Sequence, residues 1–139
     1  MSGLTLTLIL QTAVLAAGDH SYTDARNKTT ETGKPMIVLV SAQWCGPCQQ
    51  MKKTVLPEIE KRGLFDRVTF AVVNVDRERT LARKLIGKGA VPQLFMFRKT
   101  STGWKRKKLV GGHTVDSVER FITRGIEADE AEARPVSVR

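Results

Sequence analysis

Three apolar runs and four stretches of helical spacing organise the chain. Met36-Ile37-Val38-Leu39-Val40 is unbroken and rich in β-branched residues, the pattern of a strand buried on both faces. Before it, Tyr22, Ala25 and Thr29 recur at helical spacing between His20 and Thr32, and Gly33 followed by Lys34-Pro35 supplies a stop. Gln49 to Arg62 has helical composition, with Met51, Val55, Leu56 and Ile59 available for a core. Pro57, which lacks an N–H and crowds the preceding turn, should kink or interrupt it. Val68 to Val75 reads as a second strand ending in Asn74 and Asp76, followed by a helix over Glu78 to Ile86 that Gly87 and Gly89 end. Leu94-Phe95-Met96-Phe97 predicts a third strand and Trp104 to Val110 a fourth. After Gly111-Gly112, a last helix over Val115 to Ile126 presents Val118, Phe121, Ile122 and Gly125 to the core.

That order begins with parallel crossovers and ends in an antiparallel hairpin with a covering helix, so the expected class is α/β, a mixed sheet between helical layers. A chain of 139 residues with 41% hydrophobic content suffices for one domain and is short for two. The domain should occupy residues 20–127. Residues 128–139 are charged and contain Pro135, and from Glu127 onward no apolar period remains, so a frayed tail is expected.

Residues 1–19 read in two ways. Leu4 to Ala17 is mostly apolar and ends in Val14-Leu15-Ala16-Ala17-Gly18, like a signal-peptidase site, which tilts the balance to export or a periplasmic location over a cytoplasmic one. Yet no Lys or Arg precedes the stretch, polar Thr5, Thr7, Gln11 and Thr12 interrupt it, and it is too short to span a bilayer. The same residues suit an extra half-buried strand or a helix packed on the domain.

The formal charge of +9 changes this picture little, because basic residues are spread from Arg26 to Arg139. The densest group, Arg98, Lys99, Lys105, Arg106, Lys107 and Lys108, flanks Thr100-Ser101-Thr102-Gly103 and reads as a hairpin with a solvated charged face. The aromatic platforms and zinc spacings of nucleic-acid modules are missing, so no nucleic-acid partner is expected. Two cysteines separated by two residues do not make a stapling framework, and a chemical pair is the better reading. Structural zinc takes four ligands, whereas His20 and His113 are single and remote in sequence, so no metal is expected.

A redox dithiol needs one readily deprotonated, accessible sulfur and a second close enough to attack the mixed disulfide it forms. Cys45 and Cys48 have that spacing. At a strand-to-helix junction, unpaired N–H groups and the helix dipole would favour the Cys45 thiolate. Gly46 keeps the entrance open, and Pro47 suits a first helical turn. Trp44-Cys45-Gly46-Pro47-Cys48, following an apolar strand, resembles the active-site signature of the thioredoxin family, and Val91-Pro92 before the third strand resembles its cis-proline loop. The resemblance covers about residues 20–127. It implies a thioredoxin-like fold with Cys45 as nucleophile and Cys48 as resolving thiol, Trp44, Gly46 and Pro47 in support, and Pro92 in cis. It also implies a substrate groove at Trp44, Val91, Pro92 and the Gly111-Gly112 pair. No cofactor beyond a Cys45–Cys48 disulfide is implied. The partners are protein disulfides and a reductase, with the protein a monomer.

One departure from the family is clear. The buried aspartate that assists the second cysteine is replaced here by Leu39, and the lysine often paired with it by Val72. An internal proton acceptor is lost and a buried charge avoided. The primary expectation is an enzyme that reduces protein disulfides. A non-catalytic peptide-binding module, an exported oxidase or isomerase, and a cluster-bridged dimer are the alternatives.

Overall fold

The computed structural model describes residues 20–134. Both readings of residues 1–19 therefore lie outside the described residues, as does the expected tail from residue 135 on. The elements are α1 (Tyr22–Thr32), β1 (Met36–Ser41), α2 (Gly46–Gln50), a π-helical turn (Met51–Val55), α3 (Leu56–Lys61), a short 3₁₀ turn (Leu64–Arg67), β2 (Thr69–Asn74), α4 (Arg79–Ile86), β3 (Gln93–Thr100), β4 (Gly103–Val110) and α5 (Val115–Ala133). The strands lie in the order β2-β1-β3-β4. β1 runs parallel to β2 and antiparallel to β3, which pairs antiparallel with β4. This is the expected mixed sheet between helical layers.

β1 is buried along its whole length. Ile37 and Leu39 face a core with Met51, Val55 and Ile59 from the segment after the cysteines, Leu94 and Met96 of β3, and Val118, Ile122 and Ile126 of α5. Met36, Val38 and Val40 face the other layer, where Ala25 of α1 and Ala82 of α4 meet Ala71, Val73 and Phe95. Both ends of α1 are capped as its sequence suggests. The Ser21 hydroxyl accepts from the Asp24 N–H at 3.4 Å, and Gly33, at φ 75°, donates to the Thr29 carbonyl at 2.9 Å. The one polar side chain α1 buries, Thr29, is hydrogen-bonded to Thr69 of β2 at 2.6 Å.

The interruption expected at Pro57 takes a particular form. Pro57 sits in the first turn of α3, and one turn earlier the ladder widens, with the Leu56 N–H donating to the Met51 carbonyl five residues back. The ladder thus widens just before the proline, and Met51, Val55, Leu56 and Ile59 all stay in the core.

Two expectations are corrected. α5 does not end at Ile126 but continues through Ala133, so the tail expected over 128–139 is helical as far as the structure describes it. Ala128, Ala131 and Ala133 favour the helix, and Glu132 anchors its end through Arg98 of β3 at 3.0 Å and Lys105 of β4 at 2.7 Å. Arg98 is accordingly buried rather than part of the solvated basic face. The hairpin itself is as expected, although Gly103 to Lys108 is exposed on both faces of the sheet. Among the described residues, no helix is long and apolar enough to cross a membrane.

The end of α5 responds to charge in a defined direction. The Lys105 hydrogen bond holds the Glu132 carboxyl below its ordinary value of 4.5; burial pushes it the other way, and the charges of Arg98 and Lys105 add to the lowering. A lowered carboxylate contributes stability that is present above 4.5 and lost as pH falls through the depressed value. Asp129 has the opposite sign: burial pushes its carboxyl up, so its charged form works against the fold. Glu132→Gln should therefore lower the amide-exchange protection factors over 127–133 at neutral pH, as should acidification of the unmodified chain, whereas Asp129→Asn should leave protection unchanged or raise it.

Candidate active site

The topology gathers the chemistry at one end of the sheet. β1 ends at Ser41 beside Asn74 at the end of β2, Val40 pairs with Gln93 at the start of β3, and Gln93 pairs with Val110 at the end of β4. The four segments that leave these strand ends carry Trp44 to Cys48, Asp76, Val91-Pro92 and Gly111-Gly112.

Cys45 is the N-cap of α2. Its backbone is extended, at φ −93° and ψ 112°, and its sulfur accepts the Cys48 N–H at 3.2 Å, as a serine or aspartate oxygen would at an ordinary cap. The same sulfur is bonded to Cys48 in a disulfide across a Cα separation of 5.2 Å. Pro47 occupies the first turn, where no N–H is missed. The entry loop is tied down by Gln49, whose side-chain amide donates to the carbonyls of Ala42 and Gln43 at 3.3 and 3.2 Å. Both cysteines are buried, Cys45 at 6% and Cys48 at 0% exposure, so of the two residues Cys45 is the one that reaches the surface at all. The Cys48 N–H and the start of α2 both face the Cys45 sulfur, an arrangement that favours a thiolate over a thiol once the pair is reduced.

Around the pair, Val91-Pro92 is a cis peptide, Pro92 is buried, and the Val91 carbonyl lies 3.7 Å from the Cys45 sulfur. Gly111 adopts φ 89° and donates to the Pro92 carbonyl at 2.8 Å. Gly112 lies so near that a Cβ there would come within 3.2 Å of Pro47. Gly46 is exposed at the mouth. All the residues singled out by sequence thus lie together.

Trp44 is 71% exposed, yet it is not loose: its indole N–H donates to Asp76 at 3.0 Å. Asp76 is a site residue that the sequence reading passed over. It is placed by Asn74, whose side-chain oxygen accepts the N–H groups of Asp76 and Arg77 at 2.9 and 3.2 Å, while Glu78 accepts the Asn74 N–H. An Asn two residues before an Asp at a strand end is a turn signal readable from sequence, but its indole partner is not. His113 is half-buried, within 2.8 Å of the Val110 carbonyl, and His20 packs its ring against Phe70. Neither histidine contacts the cysteines. Leu39, fully buried, lies directly opposite Val72 in the ladder, so the position of the missing acid is filled by an apolar pair.

Fold and pair together define a thioredoxin-like domain with a cysteine pair placed for redox chemistry. Comparison with known proteins agrees. The Thioredoxin family profile matches residues 16–124. "Thioredoxin H-type" of Oryza sativa subsp. indica is 32% identical over 121 residues, covering 86% of this chain and 93% of that one. "Probable thioredoxin-2" of Caenorhabditis elegans is 36% identical over 80 residues, covering 56% of this chain, and this chain spans only 52% of that relative's length. The solved thioredoxin of Trichomonas vaginalis superposes with a TM-score of 0.60 at 30% identity, covering 77% of this chain and 91% of that one. The chain belongs to the thioredoxin family.

After reduction, Cys45 should be alkylated by iodoacetamide near neutral pH about tenfold faster than an unperturbed thiol, with Cys48 protected until the chain unfolds. Mass analysis of partially labelled protein reads the order directly, and equal labelling of the two would contradict it.

Proposed function

We propose that the chain reduces protein disulfides. The observation that carries this reading is the asymmetry of the pair: Cys45 caps a helix start and keeps a little exposure, its partner is wholly buried, and the Val91 backbone lies alongside. The Cys45 thiolate attacks a substrate disulfide, expelling one substrate thiolate and forming a mixed disulfide. Cys48 then attacks the Cys45 sulfur, releases the second substrate thiolate and closes the Cys45–Cys48 disulfide. Two electrons pass to the substrate, and its two sulfurs take up the protons. A partner reductase restores the dithiol, and no cofactor is needed because the electrons reside in the cysteines.

Trp44, Val91, Pro92 and the Gly111-Gly112 turn form the surface against which the substrate segment lies. In support, Val91 and the glycines bring bare backbone close to the redox pair, which an extended segment can pair with. One chain acts alone in this scheme.

Equilibration with glutathione buffers, followed by thiol trapping and mass analysis, tests the direction. A reductant should have a potential below about −230 mV, whereas a value near −180 mV or above would mark an oxidase or isomerase. A pair that does not cycle would leave a peptide-binding module.

The apolar Leu39–Val72 pair has a kinetic consequence. With no carboxylate there to take the Cys48 proton, water or a substrate group must do so. In stopped-flow measurements on the mixed disulfide, the resolving step should accelerate with rising pH, by up to about tenfold per unit while the Cys48 thiolate is scarce. A fast resolving step that is flat across neutral pH would overturn this account.

A further inference from the structure

The ion pairs of the described residues are unevenly placed. Arg62 pairs with Glu58, Asp116 and Glu119, Arg67 with Glu130, and Arg98 and Lys105 with Glu132, all on or beside α5. α5 alone carries six of the chain's 14 acidic residues. On the opposite layer, α4 and its flanks read Arg77-Glu78-Arg79-Thr80-Leu81-Ala82-Arg83-Lys84-Leu85-Ile86-Gly87-Lys88, five cations and one acid. No carboxylate among the described residues pairs with any of those five. The acid, Glu78, is occupied by the Asn74 N–H.

This unpaired charge borders the redox pair. Between the Trp44 loop and α4 lies a groove of about 360 Å³, walled by Trp44, Val75, Ile86 and Val91. Arg79, Arg83 and Lys88 also line it, all three exposed. Its one acid, Asp76, already accepts the Trp44 indole N–H, while the Arg79 Nε donates to the Asp76 carbonyl at 3.3 Å and leaves the outer guanidinium nitrogens unengaged. Two groove walls, Trp44 and Val91, belong to the surface assigned above to the substrate. Like charges at Arg79 and Arg83, one helical turn apart, repel along α4 and gain no carboxylate partner among the described residues.

We propose that this groove receives acidic side chains near the attacked cysteine, so that the preferred substrates are protein disulfides with Asp or Glu within about three residues of it, a reach of ~10 Å in an extended chain. This rests on the protein-disulfide reading above and adds a substrate class to it. Cationic groups beside a reactive centre raise the encounter rate of anionic partners and penalise cationic ones, in a salt-dependent way.

The test uses the reduced full-length chain and three disulfide peptides of equal length, flanked by acidic residues, their amides, or lysines. At ~0.02 M salt the acidic peptide should react about tenfold faster than the amide, and the lysine peptide slower. At ~0.5 M salt, where the screening length falls from roughly 20 Å to about 4 Å, the differences should collapse. The double variant Arg83→Glu/Lys88→Glu should invert the order. Arg120→Glu/Arg124→Glu on α5 should preserve both rate and order. The amide peptide serves as internal reference, since misfolding would depress all three rates together. Equal rates at low salt, or a preference that survives the charge reversal, would overturn the proposal while leaving the exchange chemistry intact. Failure to reduce any peptide would instead overturn the parent reading. Binding of a short DNA duplex without any acidic-peptide preference would assign the basic face to nucleic acid and overturn it as well.

Discussion

Burial of β1 on both faces is the constraint from which the site follows. A six-residue strand with no exposed side chain fixes two helical layers at once, because Ile37 and Leu39 require one cover and Met36, Val38 and Val40 another. Its register to β2 and β3 then decides which loops meet at Ser41. The chain leaving that end must turn and start a helix within a few residues, and the first turn needs an acceptor for its free N–H groups. Cys45 supplies it. The contact that begins α2 is thus also the contact that favours a thiolate, so helix start and reactivity are one local solution.

Much of this was legible in the sequence for physical reasons. The unbroken β-branched run marks a strand that cannot face water, and the cysteine spacing with Pro47 places the pair on a helix start. Val91-Pro92 stood out only by its resemblance to the family's cis-proline loop before the third strand, not by any local pattern. Less legible features depend on partners distant in sequence. α5 reads as ending at Ile126 because its apolar period stops there, yet Glu132 reaches Arg98 and Lys105 across the sheet, and a helix held by its polar side leaves no apolar trace. Asp76 escaped for the same reason: its role is set by an indole 32 residues away. Pro57 announced a break, but the π turn by which the helix accommodates it is chosen by the core demands on Met51 and Val55.

Leu39 and Val72 shift a balance between stability and chemistry. A buried carboxylate at the Leu39 position would need a partner or would remain protonated, and either costs desolvation. An apolar pair contributes packing instead, and leaves proton management of Cys48 to groups that arrive from outside. The site is thereby less self-sufficient than one with an internal base, and its resolving step becomes sensitive to solvent access and to what the bound substrate presents.

The charge distribution makes sense against that dependence. Every ion pair among the described residues lies on or beside α5, where pairs such as Arg98–Glu132 hold elements together, whereas the cations of α4 have no carboxylate partner there, Arg79 reaching only the Asp76 carbonyl. Exposed pairs are worth at most about 1 kcal/mol each, so the fold loses little by leaving α4 unpaired. For an encounter the sum matters rather than each pair: several like charges beside one opening produce a field that reaches across a Debye length of about 8 Å at physiological salt, farther than any contact the groove makes. Trp44, fixed by Asp76 on the border of that field, keeps one wall of the groove in place whether or not substrate is bound. An apolar wall with an exposed cationic rim can accept many backbones while discriminating by charge.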